Sequence, residues 1–108
     1  MSERIFVKLY IDAVHAGMVA DMGADNWHTL CVLASFIDKD GTCYPSQEYL
    51  ADRMGVKTRE AANRRIKALC EYRWEGRTVV TKEKVRGKGQ MFANNKYYFT
   101  EVSPFAIR

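Results

Sequence analysis

Residues 44–69, YPSQEYLADRMGVKTREAANRRIKAL, constrain this chain more than any other stretch. They read as a helix, a tight turn and a second helix. Pro45 stops an earlier helix from running through. The Ser46 hydroxyl suits an N-cap, because it accepts an otherwise orphaned backbone N–H. Tyr49, Leu50, Ala51 and Met54 then fall on one face at helical spacing. Gly55 ends that helix by supplying a positive φ that a residue with a Cβ resists. Val56 is placed to plug the corner. Thr58 is the expected cap of the second helix, with Glu60 in the first turn, where negative charge suits the helix dipole. Ala62, Ile66 and Leu69 form the inner stripe of that helix.

The outer face of the second helix carries the functional signal. At about 100° per residue, Glu60, Arg64 and Lys67 lie roughly opposite Ala62, with Lys57 and Asn63 on the shoulders. Arg can fork onto guanine, Asn can pair with adenine and Glu can accept from cytosine. A solvated, charge-laced helix has the same composition. The preceding helix and turn favour the other use, a helix docked in the major groove of a duplex.

The charge is split along the chain. Residues 1–55 hold four basic and eight acidic residues, and residues 56–108 hold thirteen basic and five acidic ones. The overall +4 therefore hides an acidic half and a basic half, and the basic half is the one suited to a polyanion. With 108 residues and 47% hydrophobic content, the expectation is a single domain over residues 1–108 with a modest core. Cys31, Cys43 and Cys70 are widely spaced without a C-x-x-C pair, so no metal site is expected. Cys31 and Cys70 fall in apolar helical patterns as core thiols, which suits a reducing cytoplasm. No signal-peptide pattern or membrane-length apolar run is present, so no membrane partner is expected.

Along the rest of the chain, Phe6, Leu9, Tyr10, Ala13 and Val14 recur at helical spacing and predict an amphipathic first helix of about three turns. Residues 17–23 read as a looser connection, after which Asp25 or Asn26 is placed to cap the next helix. That helix has the stripe Trp27, Leu30, Cys31, Ala34 and Ile37, widened by Val32, Leu33 and Phe36, and is expected to be central and buried. Asp38-Lys39-Asp40-Gly41 is turn chemistry. It is no calcium loop, since with Gly41 at the sixth position Phe36 and Gln47 would stand first and twelfth. Residues 42–44 suit a short strand. Residues 71–76 form a junction carrying Trp74. Residues 78–85 are β-prone, with Val79, Thr81 and Val85 predicted on one face and Lys82, Lys84 and Arg86 on the other. Residues 95–102 are a second β-prone run, in which Tyr97 and Phe99 alternate with Lys96 and Tyr98. The tip between them holds Arg86, Lys88 and Gln90. It lacks the following helix that a phosphate-binding loop needs, so no nucleotide cofactor is expected. The apolar tail at residues 103–108 is free to pack back on the core or to dock a partner.

These features together resemble the winged helix-turn-helix domains of plasmid and phage replication initiators, including the N-terminal domains of DnaD-like proteins. The resemblance is carried by Gly41, Tyr44-Pro45-Ser46, Leu50-Ala51, Gly55-Val56, Ile66-Lys67 with Leu69, and Asn95-x-Tyr97-x-Phe99. Where that family usually has Gly-Val-Ser before the second helix, this chain has Gly55-Val56-Lys57-Thr58, which moves the cap one residue later. The resemblance implies an α+β, mainly helical fold: a winged helix-turn-helix with the paired helices near residues 46–70 and a C-terminal β-hairpin wing near residues 78–102.

The expected partner is double-stranded DNA. Lys57, Thr58, Arg59, Glu60, Asn63, Arg64 and Lys67 are the candidates on the recognition helix. Lys82, Lys84, Arg86, Lys88 and Gln90 are the candidates for the wing and the DNA backbone. Within DNA binding, a transcription repressor or a transfer-origin accessory protein stands beside a replication initiator. A second class is an assembly module using Phe6, Tyr10 and residues 105–107, either as a homodimer or with other replication or transfer proteins. His15 and His28 lie in no catalytic or metal-ligand pattern, and no enzymatic activity, cofactor or metal is expected.

Overall fold

The structure is a computed structural model and describes residues 4–85 and 94–106. Four helices are described: α1 (Asp12–His15), α2 (Met18–Ala34), α3 (Gln47–Met54) and α4 (Arg59–Glu71). The described strands are β1 (Thr42–Cys43), β2 (Arg73–Trp74), β3 (Arg77–Thr78), β4 (Val80–Val85) and β5 (Asn94–Phe99). β1, β5 and β4 form an antiparallel sheet in that order, and β2 pairs with β3 in a separate hairpin. Leu30 and Leu33 of α2, Leu50 and Met54 of α3, Ile66 and Leu69 of α4, and Val80, Tyr97 and Phe99 of the sheet meet in one core. This is an α+β winged helix-turn-helix, with the β4–β5 hairpin as the wing.

The local signals around the turn hold to the residue. Ser46 accepts from the Tyr49 N–H at 3.1 Å and caps α3. Gly55 sits at φ 76°, and the Val56 N–H returns to the Ala51 carbonyl at 3.0 Å. Thr58 accepts from the Ala61 N–H at 3.1 Å and starts α4. Ala62, Ile66 and Leu69 are wholly buried. Tyr49 departs from the expected inner stripe. It stays exposed at the edge, tilted against Phe36, with the Arg53 guanidinium over its ring.

The expected three-turn first helix does not form, and only the single turn α1 is helical. Lys8 and Tyr10 instead spend their backbone groups on the C-terminal tail. The Tyr10 N–H reaches the Pro104 carbonyl and the Ala106 N–H reaches the Lys8 carbonyl, each at 2.7 Å, around an antiparallel Leu9–Phe105 bridge. The tail thus packs back: Ser103, Pro104 and Phe105 are buried, and Phe105 stacks on Trp27 at 5.6 Å. Ile107 lies outside the described residues.

Within residues 17–23, expected to be a loose connection, Met18–Met22 is helical. α2 starts after Gly17 and is broken at Gly23, whose φ 85° and ψ 166° no helix contains. Buried Met18 and Met22 anchor the first part to the core. The break frees the Met22 carbonyl, and Asn26 Nδ2 donates to it at 3.0 Å. Asn26 therefore bridges the kink from inside α2 instead of capping a helix start, and Asp25 likewise lies within α2. The helix ends at Ala34, so Ile37 packs on the core from beyond its end.

In the wing, Val79 and Val80 are both wholly buried, which shifts the face assignment by one residue. Val80 pairs with Phe99 and Lys82 with Tyr97, so Lys82 and Lys84 continue the face that holds Val80. Thr81 and Glu83 lie on the opposite face with Tyr98, whose hydroxyl donates to Glu83 at 2.7 Å. The junction around Trp74 is the β2–β3 hairpin, closed by Glu75 at φ 52° and Gly76 at φ 80° in type I′ fashion. Cys31 and Cys70 are half-buried against the core, and Cys43 is buried more deeply and donates to the Leu33 carbonyl at 3.8 Å.

Candidate nucleic-acid interface

The candidate face is built on α4, whose buried stripe fixes which side meets solvent. Lys57, Thr58, Arg59, Glu60, Asn63, Arg64 and Lys67 are all exposed. Two of them already have local duties. The Thr58 hydroxyl accepts the Ala61 N–H as a cap. Arg59 Nη1 donates to Glu48 Oε1 on α3 at 3.0 Å. The Glu48 carboxyl is held below the usual range by its own backbone N–H at the start of α3, and then by Arg59. That exposed pair stays open to competition from a phosphate. Among the described residues, Lys57, Arg64, Lys67, Lys82 and Lys84 form no ion pair, so their charges face outward uncompensated.

The wing is registered to the helices by one buried phenol. Tyr97 of β5 is wholly buried, and its hydroxyl accepts from Gln47 Nε2 of α3 at 3.2 Å and from Asn95 Nδ2 at 3.3 Å. Gln47 Oε1 is buried and accepts no bond from a described residue. With the amide turned over, the phenol donates to Oε1 instead, and either orientation keeps the two side chains joined. Burial raises the Tyr97 pKa, which keeps the hydroxyl protonated. On the far side of the sheet from this bond lies the Glu83–Tyr98 contact, with Lys96 Nζ 5.4 Å from the Tyr98 ring centroid. Lys82 and Lys84 are exposed along β4. Arg86, Lys88 and Gln90 at the wing tip lie outside the described residues.

Sequence reasoning passed over Arg65. It is half-buried between α2 and α4, with Nη1 3.8 Å from Asp25 Oδ1 and 3.4 Å from His28 Nδ1. Arg64 and Arg65 line a shallow recess with Asn26, Val56, Ala61 and Ala68. The only local hint was that Arg65 sits one step before Ile66. Tyr72 was passed over as well. Its hydroxyl donates to Asp21 at 2.7 Å and ties the end of α4 to the start of α2, and burial, then Asp21, pushes its pKa up.

The arrangement is a capped helix presenting cations, an amide and a carboxylate, beside a wing whose cationic strand β4 pairs with β5, the strand pinned to α3. Residues 29–74 match the family described as a helix-turn-helix domain. That stretch is similar to a helix-turn-helix of the DNA-binding kind. The match covers only the end of α2, then β1, all of α3 and α4, and β2, and stops short of the wing. No curated protein and no solved structure matched the chain. Among the described residues, no helix is long and apolar enough to cross a membrane.

Proposed function

We propose that this chain binds double-stranded DNA by docking α4 in the major groove. The carrying observation is the outer face of α4, where Asn63, Arg64 and Lys67 stand exposed on a helix whose opposite side is wholly buried. Arg64 and Asn63 suit base edges, and Glu60 suits a cytosine amine. Lys57, Lys67, Lys82 and Lys84 serve phosphates, and Arg59 joins them by exchanging Glu48 for a phosphate. Arg86, Lys88 and Gln90 extend the same role to the wing tip. Replication initiation on a plasmid or phage is the role we favour, on the resemblance carried by Tyr44-Pro45-Ser46, Gly55-Val56 and Asn95-x-Tyr97-x-Phe99. A transcription repressor or transfer-origin accessory protein would use the same face. A reducing cytoplasm suits the three free thiols.

Selection of bound sequences from a random duplex pool, followed by gel-shift titration, tests the proposal. Arg64→Ala should relax preference at one or two positions and weaken the selected site by about 1–3 kcal/mol. Lys84→Ala should weaken all sequences alike and lower the salt slope by about one unit. If the pool yields no enriched sequence and neither substitution changes binding, α4 is not the reading element.

A further inference from the structure

We infer that the N-terminal segment at residues 4–11 is a self-association surface whose occupant is a second copy of this chain. It runs Arg-Ile-Phe-Val-Lys-Leu-Tyr-Ile, with one apolar residue after another left in solvent. Ile5 is 98% exposed, Phe6 61%, Tyr10 54% and Ile11 66%. With Val7 and Val14, these residues leave roughly 700 Å² of surface in solvent, most but not all of it apolar, against the ~800 Å² per partner of a standard stable interface. A monomer rarely keeps a patch that large without a use for it.

The backbone supports the same occupant. In the antiparallel contact with the tail, Lys8 and Tyr10 turn their polar groups toward residues 104–106. Alternation along an antiparallel pair turns those of Val7 and Leu9 to the opposite side. Among the described residues, neither Val7 nor Leu9 has a backbone partner there. This is an open strand edge of β-branched and aromatic residues, without a proline. A two-fold axis pairs such an edge with its own copy in antiparallel fashion, so one surface completes itself. A register centred on Val7 uses the outward groups of Ile5, Val7 and Leu9 in both copies. It sets Ile5 opposite Leu9 and Phe6 opposite Lys8, with no like charges facing each other. The segment lies in the acidic half of the sequence, shares no residue with the set proposed for DNA, and does not depend on that proposal.

Sedimentation velocity without DNA tests it. The chain should move from its 12.4 kDa monomer toward twice that mass as concentration rises. Phe6→Glu should raise the dissociation constant at least about tenfold, the effect of ~1.4 kcal/mol. Val7→Pro should do the same by removing an outward N–H while leaving the bonds to the tail. Circular-dichroism melting of both variants, matched to the parent chain at a dilution where that chain is monomeric, shows that the fold is intact. A chain that stays monomeric to about 1 mM, the weak end of specific association, overturns the inference. So does a dimer whose affinity neither substitution alters.

Discussion

Tyr97→Phe isolates the contact that registers the wing to the helix pair. The ring is wholly buried and its packing survives the substitution, so only the hydroxyl is lost. That hydroxyl is the partner of Gln47 Nε2 at 3.2 Å and of Asn95 Nδ2 at 3.3 Å. Asn95 is half-buried and can turn to water, whereas the Gln47 carbonyl oxygen is already buried without a partner. The substitution therefore leaves the half-buried Gln47 amide, whose oxygen is wholly buried, without its phenol partner, at a cost of about 1–3 kcal/mol. In a chain of this size each kcal/mol lowers Tm by roughly 4–8 °C. Urea unfolding followed by circular dichroism measures it. Adding Gln47→Leu to Tyr97→Phe removes both polar partners and should recover most of the loss, giving a large favourable coupling in a double-mutant cycle. An unchanged midpoint for Tyr97→Phe refutes the reasoning. So does a double variant that loses the full sum of the single losses.

Three further outcomes are expected. Gly55→Ala should cost about 1–2 kcal/mol by urea unfolding, because an added Cβ meets nothing within 4 Å and only the positive φ resists it; Gly55→Asn should cost less. Phe105→Ala should destabilise by about 3–5 kcal/mol and shift Trp27 emission to the red, because the ring stacked on that indole disappears. Burial, then Asp38, raises the Cys43 pKa from 9.0 to about 12. The folded thiol holds its proton where the unfolded one has lost it, so this contribution is fully present below pH 9 and is lost as pH rises from 9 to about 12, at roughly 1.4 kcal/mol per unit. Cys43→Ala should flatten that part of a stability-against-pH curve measured by urea unfolding.

What the sequence disclosed was set by range. Ser46, Gly55 and Thr58 act on neighbours three or four residues away, so the caps, the turn and the inner stripe of α4 were legible from spacing alone. Phe6, Leu9, Tyr10 and Val14 carried a helical period as well. Within that run the backbone of Lys8 and Tyr10 is claimed by Ala106 and Pro104 at the other end of the chain, which no local window contains. The kink was half legible. Gly23 announced a break, but the buried Met18 and Met22 that keep the preceding turn helical gave too short a pattern to recognise. The bonds that assemble the candidate interface, Gln47 to Tyr97, Arg65 to His28 and Tyr72 to Asp21, join different elements and became visible only in three dimensions. The exposed face of α4 needed none of them, because its buried stripe already fixed its orientation.

That face is tested most directly by titrating isotopically labelled protein with a duplex selected from the random pool and following the backbone amide resonances. Shifts concentrated at residues 57–67 and along Lys82 and Lys84 are the expected result. Shifts clustered instead at residues 12–25, with α4 silent, would contradict the proposed docking.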